Sequence, residues 1–207
     1  MKYSIKKVLF SMLLLCTPAS FSVPAFADVS AVSSDSVQKS SVFLNELSIG
    51  SGYIRGSLKR NSDDLVVHPA IVRIGFNINS LVGITGSRST LQFALEPFVN
   101  PVSDPEDGFE AGCAIGLRYF HELAGPVDIF MEASVAPMFL SIDTAELGKA
   151  GFNFLDQIGA GLQYKISDRS AVFAGYRWRH ISHAGLVDRS NDGINSNALV
   201  AGFSWLY

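Results

Sequence analysis

A histidine and a serine stand two residues apart in the run Tyr176-Arg-Trp-Arg-His180-Ile-Ser182-His-Ala-Gly185. A serine hydroxyl becomes a nucleophile when a neighbouring base takes its proton, and that base needs a third group to hold its tautomer. His180 and Ser182 are the right types for base and nucleophile. Asn195, at the start of the next alternating segment, is the candidate third member, with Asp192 and Asp188 in the intervening loop as alternatives. The segment carrying the pair alternates like a β-strand. Ala174, Tyr176, Trp178, His180 and Ser182 share one face, and Gly175, Arg177, Arg179 and Ile181 share the other.

What positions such a pair is a chain of similar segments. Eight are strand-like, at about 43–58, 65–78, 89–100, 108–120, 127–141, 152–165, 169–182 and 195–207. Turn-rich pieces separate several of them, among them 59–64, 100–107, 167–168 and 188–193. Leu91, Phe93, Leu95, Pro97 and Val99 alternate with Thr90, Gln92, Ala94 and Glu96; Leu199, Ala201, Phe203, Trp205 and Tyr207 alternate with Val200, Gly202, Ser204 and Leu206.

The N-terminus reads as a secretory leader over residues 1–27: Lys2, Lys6 and Lys7, a short apolar run from Val8 to Cys16, and a small-x-small site at Ala25-Phe26-Ala27. A Ser-rich segment, 28–42, follows, and residues 43–207 form the folded body. Without Cys16 only Cys113 remains, which rules out an internal disulfide. Three of the 16 basic residues leave with the leader while all 19 acids stay, so the mature charge is −6. That balance argues against nucleic acid as a partner. The chain is 48% hydrophobic and 17% charged, and no later apolar stretch is long enough for a membrane helix.

An exported, apolar, strand-rich chain without helical spans fits an all-β fold: an eight-stranded antiparallel transmembrane β-barrel of the bacterial outer membrane. Apolar side chains then face lipid, and Glu96, Glu110, Arg118, Glu132 and Arg177 form an ionic network in the lumen. Eight strands leave room inside for side chains but no pore. The rival is a soluble lipid-binding barrel of lipocalin type, with its apolar face turned inward. The pattern Gly202-x-x-Trp205-x-Tyr207 resembles the terminal signal read by the outer-membrane assembly machinery, which would make that machinery a partner. With both ends in the periplasm, the seventh strand ends at the cell surface. His180, Ser182 and Asn195 therefore cluster at the outer rim, on the lipid-facing side.

The C-terminal third resembles the lipid A 3-O-deacylase family, the acyloxyacyl hydrolase-like barrels. The similar residues are Phe152-Asn-Phe154 with Gln157-Ile-Gly159, Tyr176 to Ser182, Ala184-Gly185, and Asn191-Asp-Gly193-Ile-Asn195. Weaker similarity reaches Leu95-Glu-Pro97 and Gly116-Leu-Arg-Tyr119. The resemblance implies cleavage of the ester-linked acyl chain at the 3 position of lipid A in the outer leaflet, with Ser182 as nucleophile, His180 as base, and no metal or cofactor. It also exposes two departures. The family carries Asn directly after the Ser, where this chain has His183, so the oxyanion donors expected here are the His183 imidazole and the Ala184 backbone N–H. The family's third catalytic residue is a Glu, where this chain has Asn195. Two readings follow: an esterase with a weakened supporting shell, or a structural or interaction barrel that keeps the fold without the activity.

Overall fold

The computed structural model describes residues 42–60 and 63–207; the expected leader and all of the Ser-rich segment but Val42 lie outside them. Nine strands follow in chain order: β1 (Phe43–Leu58), β2 (Asp63–Val67), β3 (Ala70–Asn77), β4 (Ser89–Asp104), β5 (Gly108–Ala124), β6 (Val127–Leu140), β7 (Gly151–Ser167), β8 (Ser170–Ser182) and β9 (Ile194–Leu206). A one-turn helix, α1 (Asn79–Val82), lies between β3 and β4. Every strand pairs antiparallel with its neighbour, and β9 returns to β1 from Glu46↔Leu206 to Gly56↔Ser196, so the sheet closes on itself.

The second expected segment, 65–78, is two strands. The break falls at His68-Pro69, because proline supplies no N–H to the ladder. His68 N–H donates to the Pro101 carbonyl at 2.9 Å, and Ala70 N–H to Asn100 Oδ1 at 3.0 Å, so side chain replaces backbone there. β2 and β3 together make one stave of an eight-stave barrel.

The barrel is inside-out relative to a soluble one. On β6 the outward positions are Ile129, Met131, Ala133, Val135, Pro137 and Phe139, and Met131 is 60% exposed. Inward positions of the same wall carry charge. Arg73, Arg118, Arg177 and Arg179 are all buried, as are Glu46, Glu96 and Glu110. Such a surface is stable against lipid tails and unstable in water. With staves of 13 to 17 residues, the barrel is taller than the 9–11 residues a bilayer requires, so part of its wall stands clear of the hydrocarbon.

Each lumen charge is neutralised by a partner from another stave. Glu96 accepts from Arg73 Nη2 at 2.7 Å and from Arg177 Nη1 and Nη2 at 2.7 and 2.9 Å. Arg177 Nε also donates to Glu132 at 2.6 Å, and Arg179 Nη2 to Glu110 at 2.5 Å. The Arg118 guanidinium lies 3.8 Å from the centre of the Phe130 ring and 4.6 Å from that of Phe120. All five residues expected in the lumen are there, joined by Arg73, Arg179 and Glu46. Glu96→Ala takes from two buried guanidinium groups, Arg73 and Arg177, one of the two carboxylates they share and leaves them with Glu132. The expected cost is about 3–5 kcal/mol, read as a lowered unfolding temperature of the barrel in detergent micelles.

Candidate active site

β8 delivers His180 and Ser182 to the outward wall at its C-terminal end, as alternation requires. β9 runs back beside it in the register His180↔Asn195, Trp178↔Asn197, Tyr176↔Leu199. Directly opposed residues on one face put their side chains in contact. His180 Nδ1 lies 2.7 Å from Asn195 Oδ1. An amide oxygen only accepts, so Nδ1 is the donor, and in the neutral imidazole this leaves the lone pair on Nε2.

Two further contacts fix the ring. Trp178 stacks on it, with centroids 6.0 Å apart and planes 13° from parallel. Gly193 lies against it with φ at 72°, and a Cβ there would come within 2.5 Å of His180 Cε1. Gly193→Ala therefore meets both a steric block and an unfavourable backbone region. We expect this variant to fold as a barrel and to lose at least about tenfold in activity through displacement of the imidazole, on the sensitivity of catalysis to misplacement of about 1 Å. Retained heat-modifiable migration together with single-turnover rates checks it.

Ser182 pairs with Phe154 of β7 and is half-buried. The chain then turns at once. Leu186 N–H donates to the His183 carbonyl at 2.9 Å, with Ala184 at φ 52° and Gly185 at φ 71°. Two successive left-handed residues mark a type I′ turn, and Ala184 is the one non-glycine residue with positive φ among the described residues. Strain of this kind collects where backbone groups must be aimed.

The expectation for the His183 side chain is corrected. One step past Ser182, it falls on the opposite face and is buried, with Nε2 donating to the Ser190 carbonyl at 2.9 Å. Its backbone N–H donates to Asn191 Oδ1 at 2.9 Å. His183 thus ties down the loop and does not face the outward wall. The alternative acids are also placed elsewhere. Asp192 forms an ion pair with Arg60, and its N–H donates to the Glu146 carbonyl; Asp188 is exposed in the loop. Arg189 completes the brace by donating to the Lys149 and Phe152 carbonyls and to Asn153 Oδ1.

With this geometry in hand, comparison with known proteins is informative. The model of a family described as lipid A 3-O-deacylase (PagL) matches residues 72–204. The chain belongs to that family. No curated protein matches it. Among solved structures, the outer membrane enzyme PagL is 20% identical with a TM-score of 0.55, covering 76% of this chain and 97% of its own. Neisserial surface protein A (NspA) is 16% identical, also at 0.55, covering 78% and 96%. These likenesses establish the fold, an eight-stranded antiparallel transmembrane barrel of the bacterial outer membrane.

One residue beside the site escapes a reading of the sequence. Asp156 of β7 is the cross-strand partner of His180, on the side away from Asn195. It lies on the outward face in the stripe Phe152, Phe154, Asp156, Ile158, Ala160, Leu162, Tyr164. A carboxylate in a lipid-facing stripe carries a solvation cost even near the interface. The signal available in the sequence was that interruption, one acid among six apolar residues.

Proposed function

We propose that this family member is an outer-membrane serine esterase that removes the ester-linked acyl chain at the 3 position of lipid A. The observation that carries the reading is His180, held through Nδ1 by Asn195 on the lipid-facing wall, two residues from Ser182. In this reading the substrate presents its ester from the outer leaflet to the outside of the barrel. Ser182 Oγ attacks the acyl carbon while His180 Nε2 takes its proton. The tetrahedral oxyanion is met by the Ala184 backbone N–H, aimed by the strained turn. Collapse breaks the bond to the sugar oxygen, which receives the proton from His180. Water then attacks the acyl carbon while His180 takes one of its protons; the bond to Ser182 Oγ breaks, Oγ receives that proton back from His180, and the acyl group leaves as a fatty acid. None of these steps needs a cofactor. Asn195 sets the tautomer, and Asp156 supplies the negative charge that the amide lacks.

β9, with Phe203 and Trp205 on its outward stripe and Tyr207 just past its end, is in the same reading the segment offered to the assembly machinery. The deciding experiment is mass spectrometry of lipid A from cells with and without the protein. Loss of one 3-position acyl chain supports the proposal, and an unchanged profile at verified outer-membrane expression refutes it. The neutral Asn195 motivates the second reading, a silent barrel. In that case Ser182→Ala complements a deletion strain as well as the parent does.

A further inference from the structure

Arg55 is the only Lys or Arg at an outward position of the barrel wall among the described strands. It sits on β1, three residues from the outer end of that strand, and is the Cα partner of Asn197 on β9. Asn197 is in turn the partner of Trp178, one row of the ladder below His180 and Asn195. Strand spacing and rise place the Arg55 and His180 Cα atoms about 12 Å apart on one face. The guanidinium is ion-paired with Asp64, and the part of it that the carboxylate does not meet is costly on a lipid-facing wall unless it reaches water or anionic headgroups.

The hydrogen bonding is one-sided. Arg55 Nε and Nη2 both donate to Asp64 Oδ2, at 3.1 and 2.5 Å, which fixes the plane of the guanidinium and leaves Nη1 unspent. The side chain remains 63% exposed. Beside it the Tyr176 hydroxyl donates to Asn197 Oδ1, so the Asn197 amide turns its N–H groups away from that bond. Two donors, Arg55 Nη1 and Asn197 Nδ2, thus belong to directly paired residues on one outward face, near the end of the barrel that carries His180. A pre-oriented Arg next to an amide donor matches the planar, multi-oxygen geometry of a phosphate.

We propose that Arg55 and Asn197 form a binding site for a phosphate group on the headgroup of the same glycolipid whose ester meets Ser182. This inference rests on the esterase reading for the identity of the lipid. It adds a specificity element: substrate is held by its phosphate on the β9–β1 side while its acyl ester lies at β8.

The test uses the full chain in detergent micelles, in the Ser182→Ala background so that no turnover intervenes. Binding of lipid A is compared with binding of the same lipid A after removal of its phosphates. The expected result is a preference for the phosphorylated form that falls about tenfold in Arg55→Ala and Arg55→Gln and is partly kept in Arg55→Lys; tenfold corresponds to about 1.4 kcal/mol. Asn197→Ala should lower the preference less. A preference unchanged in both the Ala and Gln variants overturns the proposal. So does displacement of the lipid by an equal concentration of inorganic phosphate, which would make this a site for free anions. Failure of the esterase reading looks different. Parent protein that binds with the Arg55-dependent preference but releases no fatty acid removes the esterase and keeps the site. Release of fatty acid without that preference does the reverse.

Discussion

Ser182→Ala and His180→Ala are each expected to lower acyl release from lipid A by about 10⁴-fold or more, and the double variant by no more than either alone. In the proposed mechanism the two side chains act on one proton. Without Ser182 the acyl group has no acceptor, and His180 has nothing to activate except water. Without His180 the hydroxyl keeps its proton, and the leaving sugar oxygen departs without one. The geometry makes the prediction strict. Asn195 holds His180 Nδ1 at 2.7 Å, so Nε2 is the one nitrogen left for transfer. Ser182 Oγ has no hydrogen bond to His180 among the described residues, and rise along a strand separates their Cα atoms by about 6.7 Å. Such a pair closes when substrate arrives, a common property of free active sites. Rates from micellar lipid A, followed by mass spectrometry, check both variants. Additive losses in the double variant would show that the two residues serve separate steps.

The barrel and the direction in which His180 and Ser182 point were legible because a period of two needs no tertiary information. Once Arg177 and Arg179 must avoid lipid, the parity of β8 assigns the other face to His180 and Ser182. Five lumen charges follow from the same rule applied to β4, β5, β6 and β8. Pairings across strands are another matter, since they depend on registers that turns and bulges set. The β7–β8 hairpin shows why. Its first pair is Ser167↔Ser170, and extending that register would set Gln157 opposite His180. A bulge between Lys165 and Ser167 inserts one residue, so the partner becomes Asp156 and the whole stripe changes face. Nothing in the residue types near Lys165 announces it. His183 was misread for a related reason: a residue just past the strand's end obeys the turn and its hydrogen-bond partners, Ser190 and Asn191, and these lie in a loop with no period to read.

That bulge gives the second large effect. Asp156→Asn is expected to lower turnover by about 10²-fold. Asp156 stands directly opposite His180 on the same face of the β7–β8 pair, so in the proposed mechanism its carboxylate offsets charge that develops on the imidazole during turnover; a hundredfold in rate corresponds to about 2.7 kcal/mol. Asn195 cannot supply this. Its amide orients the ring but carries no charge to offset the proton that His180 gains. A carboxylate placed at the Nδ1 side instead should serve as well, so Asn195→Asp in the Asp156→Asn background is expected to recover most of the loss. In the parent background the same change should raise turnover only slightly, since one negative charge already faces the ring. The four proteins form a double-mutant cycle, measured as single-turnover acyl release from proteins matched for folding. Equal effects of Asn195→Asp in both backgrounds would mean that Asp156 does not share the charge on His180. A strong coupling would mean that this chain has moved its catalytic carboxylate from the last stave to the one on the other side of the histidine.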